Sequence, residues 1–291
     1  MQRIKILTDS ACDIAAEYEK ELGIKILGFP ITVDGKSFIE RDTISNEEFY
    51  EALRTSVEVP STAQVTSFRF VEAYKEIYDE GYTDIINITI SSTGSNTYNS
   101  ALLAVNEFIE ENPEAKGKFN IHVIDSLTYT AGYGYPVIEA ATKAKKGASV
   151  DEIIAYLKDW FSCVEIYFAP YSLEQVKRSG RISCAAAFMG ELLGLRPVIQ
   201  MIDGGSNILE RIRGNKNIIP KLADLASNNM IPQTPYILVK GSVDEHAVEL
   251  SKEMVKRVGY PPVMTIQIGA AVANNAGAEV AGIAIKARRD R

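Results

Sequence analysis

The chain has 291 residues, of which 46% are hydrophobic and 24% charged, and its formal net charge is −7. These values are typical of a globular α/β protein with one large domain or two smaller ones, and the negative charge argues against nucleic acid as the main partner. No apolar run reaches the 18 residues of a membrane span, and MQRIKILTDS does not fit a cleavable signal, so we expect a cytoplasmic protein.

The usual catalytic and metal-binding patterns are missing. GxGxxG, GxxxxGK[ST] and GxSxG do not occur, so the sequence does not favour dinucleotide, P-loop or serine-hydrolase chemistry. The three cysteines, Cys12, Cys163 and Cys184, are widely spaced, so we expect no disulfide framework and no metal site. Of the two histidines, His122 lies in a predicted strand, and His246 is predicted to be solvated on a helix face. We expect no cofactor.

The first half of the chain alternates short strands with helices. RIKILTDS predicts a strand, and DIAAEYEKELG predicts a helix with Asp13 as its cap. Asp34-Gly35 predicts a hairpin turn, and Ser45 with Glu48 predicts a capping box at the next helix. TDIINITI and NIHVIDS are further strands, with a helix from about Thr97 between them. This alternation favours a parallel sheet covered on both faces.

Three of the predicted strands end in small polar side chains, at residues 8–10, 90–95 and 124–126. Open α/β sheets bind ligands outside the carboxyl ends of their strands. Hydroxyl groups at a helix start can cap free backbone N–H groups, and the same corner can bind a carboxylate or a phosphate. The hydroxyl-bearing residues from 91 to 97 exceed what capping needs. The residues alone therefore favour an anion site and leave capping open.

The second half predicts a different arrangement. RPVIQMIDGGSNILERIRG indicates two strands joined at residues 203–205, and helices and strands alternate around this hairpin. We predict an N-terminal α/β domain over residues 1–155 and a smaller mixed α/β domain over residues 156–291.

Four arginines stand out on this acidic chain: Arg178, Arg181, Arg211 and Arg213. They fit two interpretations. They are either ordinary solvated ends of helices and strands, or an edge that contacts an anionic ligand or an acidic partner protein.

Several segments together resemble the motifs of the DegV family. In chain order these are LTDSACDI, PSTAQVTSFRF, ISSTGSNTYNSA, VIDSLTYTAGYG, LEQVKRSGRIS and LLGLRPVIQMIDGGSNILERIRGNKN. Each is weak alone, but together they are specific and span nearly the whole chain. The resemblance implies a two-domain α/β fold, with a parallel-sheet N-terminal domain, a mixed C-terminal domain and a ligand tunnel between them. Candidate tunnel walls are the apolar segments at residues 27–33, 168–173 and 184–195, each of which also fits ordinary hydrophobic core.

The resemblance also implies a ligand and a partner. Members of the family serve as the fatty-acid-binding subunit of a bacterial fatty acid kinase, whose separate ATP-binding subunit phosphorylates the bound acid for phospholipid synthesis. This chain would then be a carrier in lipid transport and fatty acid metabolism rather than an enzyme, with palmitate or a similar acid as ligand. The implied carboxylate-binding residues are Thr62, Ser92, Thr93, Gly94, Ser95 and, at the position of a family histidine, Asn275.

The chain departs from the family pattern near its C-terminus. Where the family has IGxxxGxHxGPGxxG, residues 268–283 read IGAAVANNAGAEVAGI, so Asn275 replaces the histidine and Ala278-Glu279 replaces Pro-Gly. An amide can donate a hydrogen bond to a carboxylate but cannot carry a proton as histidine can. Two alternatives stay open: an enzyme acting on a small phosphorylated substrate through the same hydroxyl loop, and a regulatory protein controlled by its lipid.

Overall fold

A computed structural model describes residues 2–182 and 194–288 of the chain. Cys184 and most of the predicted tunnel wall at residues 184–195 lie outside the described residues. Cys12 and Cys163 are buried thiols, and neither forms a disulfide within the described ranges. None of the helices within the two described ranges combines the length and apolar character needed to cross a membrane.

The strands of the described ranges are β1 (Ile4–Asp9), β2 (Lys25–Leu27), β3 (Pro30–Val33), β4 (Lys36–Ile39), β5 (Ser61–Thr62), β6 (Asp84–Thr89), β7 (Asn120–Asp125), β8 (Val164–Pro170), β9 (Leu195–Ile202), β10 (Gly205–Arg213), β11 (Tyr236–Lys240), β12 (Met264–Gln267) and β13 (Val280–Lys286). The α-helices of the same ranges are α1 (Ala16–Leu22), α2 (Asn46–Thr55), α3 (Ser67–Asp79), α4 (Thr97–Glu111), α5 (Ala131–Lys145), α6 (Val150–Phe161), α7 (Glu174–Ser179), α8 (Ile218–Asn229), α9 (Asp244–Val258) and α10 (Ala270–Ala276).

The first sheet has the order β2-β1-β6-β7, and every neighbouring pair is parallel. Its central strands are apolar on both faces: Ile6, Leu7, Ile86 and Ile88 are all buried. A parallel strand covered by helices on both sides needs such a continuous apolar run. The predicted parallel sheet of the N-terminal half is confirmed.

The second sheet has the order β10-β9-β8-β13-β11-β12 and is mixed, since only β11 and β12 pair in parallel. Alternate residues of β8 face opposite ways. Ile166 and Phe168 pack in the core that is shared with the first sheet, while Tyr167 and Ala169 pack in a second core with α8 and α9. The predicted mixed C-terminal sheet is confirmed, and one of its faces lies toward the first sheet.

A small antiparallel sheet, β4-β3-β5, extends the N-terminal half. Its β3–β4 hairpin turns at Asp34 and Gly35, whose φ angles are 46° and 74°. Both residues are left-handed, as a two-residue hairpin turn requires, so the predicted turn is confirmed. Pairing of Ile31 with Thr62 holds β5 against this hairpin and fixes the position of Thr62.

The two predicted helix caps have different outcomes. The capping box is confirmed, since the Glu48 N–H donates to Ser45 Oγ (3.2 Å) and the Ser45 N–H donates to Glu48 Oε2 (2.8 Å). The Asp13 cap is wrong, because α1 begins at Ala16 after an Ala15 that makes no side-chain cap. The Asp13 carboxylate instead accepts a hydrogen bond from the backbone N–H of Gly269 (2.8 Å).

The predicted boundary between residues 155 and 156 falls within α6, and the division into two domains stays a prediction.

Candidate functional site

The three polar strand ends of the first sheet meet, as predicted. Asp9 at the end of β1 accepts a hydrogen bond on Oδ2 from the backbone N–H of Ile90 (2.8 Å). The Ser92 N–H donates to Asp125 Oδ1 at the end of β7 (3.1 Å). Because β1, β6 and β7 are parallel neighbours, their carboxyl ends necessarily share one edge of the sheet.

Residues 91–97, called here the hydroxyl corner, connect β6 to α4. The hydroxyls of Ser91 and Thr93 lie 2.8 Å apart, as do those of Ser95 and Thr97. The N-cap of α4 is Asn96, which makes no side-chain capping bond. These hydroxyls therefore brace the loop, and Ser95 Oγ also accepts a hydrogen bond from the backbone N–H of Thr97 at the start of α4 (3.3 Å).

One bond ties the hydroxyl corner to the segment that follows Thr62. The backbone N–H of Val65 donates to Thr97 Oγ1 (3.3 Å), and Thr97 is the partner of Ser95. Ser95 is thereby held on the side of the corner that borders residues 62–65.

A cavity lies between the hydroxyl corner and the second sheet. Its polar lining residues are Gly94, Tyr129, Thr130, Arg181 and Asn275. The rest of the lining is apolar and comes from both halves of the chain: Ile90, Ile166, Phe168, Ile182, Met201, Val239, Ile268, Ala271, Val272, Ala276 and Val280. Such a lining suits an apolar chain with one polar end.

The cavity borders a polar groove at one end. Arg181 and Asn275 line both the cavity and the groove, and Thr62 lines the groove. Ser172, which follows β8, and Ser242, which follows β11, also line it, so the groove lies at the carboxyl ends of these strands. We call this the head end of the cavity. Thr62, Asn275 and Arg181 all line the groove at this end.

Asn275 retains hydrogen-bonding capacity for a ligand. Its Nδ2 donates to the backbone carbonyl of Ala271 one turn earlier in α10 (2.8 Å). An amide nitrogen carries two N–H donors, so one donor of Asn275 remains available beside the cavity.

The structure divides the carboxylate-binding residues predicted from the sequence. Gly94 and Asn275 line the cavity and Thr62 lines the groove, whereas Ser92, Thr93 and Ser95 line neither. Within residues 2–182 and 194–288 the Ser92 hydroxyl has no hydrogen-bond partner. Of the predicted walls, Phe168 of segment 168–173 lines the cavity; segment 27–33 does not, and Leu27, Phe29 and Ile31 are buried in the core.

Thr93 is engaged elsewhere. Its Oγ1 donates to the carbonyl of Gly204 in the β9–β10 turn (2.5 Å), and the Tyr129 hydroxyl donates to the same carbonyl (3.0 Å). Gly94 seats the Tyr129 ring, because a Cβ at Gly94 would lie 2.6 Å from that ring. Thr93 and Gly94 thus join the hydroxyl corner to the second sheet.

The four predicted arginines lie toward the head end. Arg178 forms an ion pair with Glu174 (Nη1 to Oε1, 2.9 Å), and Arg181 lines the cavity. Arg211 and Arg213 pair with the first residues of β9, and β9 is antiparallel to β8, so they lie at the same end of the sheet as the carboxyl end of β8. Ile212 packs in the second core, so strand alternation turns both arginines toward the cavity face.

Three buried carboxyl groups lie behind the cavity wall, and sequence reasoning missed this arrangement. We call Asp9, Asp13 and Glu40 the acid cluster. Glu40 Oε1 accepts from the backbone N–H of Ala271 (2.9 Å) and Oε2 from the Ser10 hydroxyl, while Asp13 accepts from Gly269. The cluster therefore holds the start of α10, the helix that carries Asn275.

Burial changes the protonation of this cluster. It raises the pKa of Asp9 to about 7, although hydrogen bonds from Tyr133 and Ile90 act in the opposite direction. Burial also raises the pKa of Glu40 and, together with the nearby charge of Glu40, raises the pKa of Asp13 well above its usual value. Asp9 and Asp13 lie in the TDSACD segment, whose polar residues mark the end of a predicted strand. No sequence pattern pointed to Glu40.

The prediction for His246 is wrong. Its Nε2 lies 3.0 Å from Glu279 Oε1, its ring stacks on Tyr171 with centroids 4.0 Å apart, and its side chain is only 16% exposed. Glu279, one of the two residues that replace Pro-Gly, supplies this partner from a distant part of the sequence. His122 lies in β7, as predicted.

Comparisons with known proteins agree with this fold. Residues 3–288 match the model of a protein family. That family is described as uncharacterised proteins of the DegV family. A DegV domain-containing protein of Clostridium perfringens is 33% identical over 283 residues, which cover 95% of each chain.

Two solved structures are similar over almost the whole chain. A DegV family protein from Thermus thermophilus, described by its fatty acid binding, is 25% identical with a TM-score of 0.84, covering 99% of this chain and 100% of that one. A stearic acid-binding protein from Eubacterium ventriosum is 23% identical with a TM-score of 0.86, covering 98% of this chain and 97% of that one.

Proposed function

The chain belongs to the DegV family, and on that premise we propose that it binds a long-chain fatty acid and carries it without converting it. The observation that carries this proposal is the mainly apolar cavity that adjoins a polar groove lined by Thr62, Asn275 and Arg181. The fatty acid described for the Thermus thermophilus relative supports the same ligand class.

The cavity supplies the driving force for such a ligand. Burying about 14 methylenes at about 0.8 kcal/mol each makes roughly 10 kcal/mol of transfer free energy available. Ile166, Phe168 and Met201 form an apolar floor on the second sheet, and no carboxylate lines the cavity within the described ranges. An acyl chain there replaces water contacts with apolar ones along its length.

The head end supplies the partners that a buried carboxylate needs. A carboxylate costs several kcal/mol to bury unless hydrogen bonds or a counter-charge offset the cost. Arg181 offers a charged donor, Asn275 a free amide N–H and Thr62 a hydroxyl. Ser92 and Ser95 of the hydroxyl corner belong to the same proposed set. Arg181 supplies the positive charge that Asn275 lacks at the family histidine position.

We further propose that the carrier presents its ligand to a separate ATP-dependent kinase subunit. Arg178, Arg181, Arg211 and Arg213 lie toward the head end, where such a partner would approach the carboxylate. Introducing Asn275→His tests this role, because the variant restores a proton-carrying side chain beside the head group. A kinase subunit is expected to phosphorylate acid bound to Asn275→His faster than acid bound to the parent protein.

An enzyme acting on a small phosphorylated substrate fits the site less well. The cavity beside the hydroxyl corner is lined mainly by apolar side chains, which suit an acyl chain better than a small phosphorylated molecule. A phosphate cradle needs free donors facing a polar space.

The proposed function is tested by native mass spectrometry of freshly purified protein, followed by titration of the delipidated protein with palmitate. We expect a fatty acid to co-purify and palmitate to bind one to one. Arg181→Met should weaken palmitate binding by about tenfold or more, through loss of a hydrogen bond to a charged group. Arg178→Met is the matched control, because Arg178 is paired with Glu174 in the same helix. Absence of lipid from every preparation, with no palmitate binding, would contradict the proposal.

A further inference from the structure

The cavity wall contains a buried hydroxyl group that has no partner in the part of the chain that the structure describes. Thr130 lines the cavity and is only 4% exposed. Its Oγ1 has no hydrogen-bond partner within residues 2–182 and 194–288. The other hydroxyl of the lining, that of Tyr129, donates to the carbonyl of Gly204 (3.0 Å). Thr130 therefore supplies an uncommitted polar atom to a wall that is otherwise mainly apolar.

The backbone of Thr130 is held in an unfavourable conformation. Thr130 precedes α5 as its N-cap, but its side chain makes no capping bond. Its φ and ψ angles are 41° and −123°, a combination that a β-branched residue rarely adopts. The Thr130 carbonyl accepts from the N–H groups of Tyr133 (3.1 Å) and Gly134 (2.8 Å), and these bonds keep the turn in place. Such outliers persist where the surrounding structure fixes them, and they are concentrated at ligand sites.

A second unpartnered oxygen lies beside Thr130. Asp13 Oδ2 is buried and has no partner in the described ranges either, while Asp13 Oδ1 accepts from the Gly269 N–H (2.8 Å). Burial and the charge of Glu40 raise the pKa of Asp13 well above its usual value, and the neighbouring Thr130 hydroxyl acts in the opposite direction. A protonated Asp13 is a donor, so Thr130 can accept from it and direct its own O–H at a ligand.

An unsubstituted acyl chain leaves the Thr130 hydroxyl without a partner. A buried hydroxyl in that state costs free energy, because water satisfies it in the unfolded chain. Methylene groups neither donate nor accept a hydrogen bond. A hydroxyl group on the acyl chain does both, so it can pair with Thr130 Oγ1 whichever way the threonine O–H points. The wall at Thr130 therefore complements an acyl chain that carries an oxygen substituent.

The helix α10 indicates where along the chain this substituent lies. The cavity-lining residues in and just before α10 recur at intervals of three and four, as on one helix face: Ile268, Ala271, Val272, Asn275 and Ala276. The bond from Gly269 to Asp13 places Thr130 beside the start of this face, whereas Asn275 lies at the head end. The six steps from Gly269 to Asn275 span about 9 Å at about 1.5 Å each. An extended alkyl chain covers that distance in about seven C–C bonds of about 1.3 Å.

We propose that Thr130 binds an oxygen substituent of the acyl chain, and that the cavity accepts fatty acids with a hydroxyl group about seven carbons from the carboxyl group. This inference rests on the proposed fatty-acid function and specifies the ligand class of the same cavity. The ligand hydroxyl pairs with Thr130 Oγ1 while the carboxylate stays at the head end. At other depths a chain hydroxyl faces apolar side chains such as Ile166, Phe168 and Met201 and loses its hydrogen bonds to water.

The test measures competition between stearic acid and its monohydroxy derivatives, substituted at each carbon from 3 to 12, for the delipidated protein. Most isomers should bind at least about tenfold more weakly than stearic acid, because their hydroxyl is buried without a partner. An isomer substituted near carbon 7 should bind as tightly as stearic acid or more tightly. Absence of any such isomer would overturn the proposal.

Thr130→Val tests the residue itself, since valine keeps the branched shape and removes the hydroxyl. The affinity for the favoured isomer, relative to stearic acid, should fall by about tenfold. Thr142→Val is the matched control, because Thr142 lies on α5 and does not line the cavity; it should keep the parent profile. Thr130→Ser retains a hydroxyl and should also keep the preference.

Thr130→Ala replaces Thr130→Val if the valine variant does not fold, and the same loss of preference is expected. An isomer preference that persists in the folded variant belongs to another group of the wall and overturns the assignment to Thr130. If neither stearic acid nor any hydroxy acid binds the parent protein, the proposed function itself fails. If stearic acid binds and no isomer is favoured, only the position at Thr130 fails.

Discussion

The hydroxyl corner and the acid cluster adjoin the same edge of the first sheet but differ in burial and in partners. Ser92, Gly94 and Ser95 are half-buried, Thr93 is exposed, and the hydroxyls bond mainly to one another. The members of the acid cluster are buried, and Asp13 and Glu40 accept backbone N–H groups of a helix far along the chain. Similar small polar segments at neighbouring strand ends thus support different tasks. The corner borders the cavity through Gly94, and the cluster holds the start of α10, which also lines the cavity.

The largest expected effect comes from removing a member of the acid cluster. Glu40→Ala leaves the Ala271 N–H and the Ser10 hydroxyl without their partner inside the protein. The free energy of unfolding should fall by about 2–4 kcal/mol, measured by urea denaturation. Glu47→Ala, an exposed acid at the start of α2, is the control and should cost less than about 1 kcal/mol. Equal losses in both variants would remove the distinction between cluster and surface.

The acid cluster also predicts a pH dependence of stability. The pKa of Asp9 is raised from its usual 3.8 to about 7, so the folded protein holds a proton that the unfolded chain releases. The stabilisation that this proton provides is complete below about pH 4 and is lost as the pH rises through about 7. Over that interval the free energy of unfolding falls by about 1.4 kcal/mol per pH unit for one proton. The raised pKa values of Asp13 and Glu40 act in the same direction.

Asp9→Asn isolates the contribution of Asp9 to the pH dependence of stability, because asparagine does not titrate. Urea unfolding between pH 4.5 and pH 7.5 should show a slope that is smaller by about one proton in the variant. If parent and variant lose stability with identical slopes, Asp9 is ionised throughout and the comparison with the hydroxyl corner must rest on Asp13 and Glu40.

The head end predicts an effect on affinity rather than on stability. Thr62→Ala should weaken palmitate binding by about 1–3 kcal/mol, through loss of a hydrogen bond to a charged group, measured by calorimetry on delipidated protein. Thr32→Ala on the adjacent strand β3 is the matched control, since Thr32 is exposed and does not line the groove. Unchanged affinity in Thr62→Ala would exclude Thr62 from the carboxylate site.

The smallest expected effect belongs to Ser92. Its hydroxyl has no hydrogen-bond partner within the described ranges, so Ser92→Ala should change the free energy of unfolding by less than about 0.5 kcal/mol. Urea denaturation checks this value beside that of Glu40→Ala. A loss comparable to Glu40→Ala would show that the hydroxyl corner is as structural as the acid cluster.

Sequence patterns predicted those features that depend on neighbouring residues. Strand and helix alternation indicated the parallel sheet, Asp34-Gly35 indicated a turn, and Ser45 with Glu48 indicated a cap. The meeting of the polar strand ends also followed, because parallel strands share their carboxyl edge. In each case the decisive interaction is local or is dictated by topology.

Features that depend on distant partners escaped prediction. Asp13 has the spacing of a helix cap, but its partner Gly269 lies 256 residues away. Thr93 has the setting of an anion ligand, yet it bonds to Gly204, 111 residues away. Glu40 follows an ordinary hairpin strand and became notable only when folding placed α10 against it. A single sequence contains no periodicity that encodes such pairs.

The short helix α10 has a consequence for the rate at which a ligand is exchanged. It belongs to the chain of the second sheet, but its first N–H groups are bonded to Asp13 and Glu40 of the first half. Separation of the two sheets therefore has to break both bonds before Asn275 can move away from the hydroxyl corner. If the chain carries a fatty acid as proposed, exchange by that route depends on the strength of these two hydrogen bonds, and therefore on the protonation of Asp13 and Glu40.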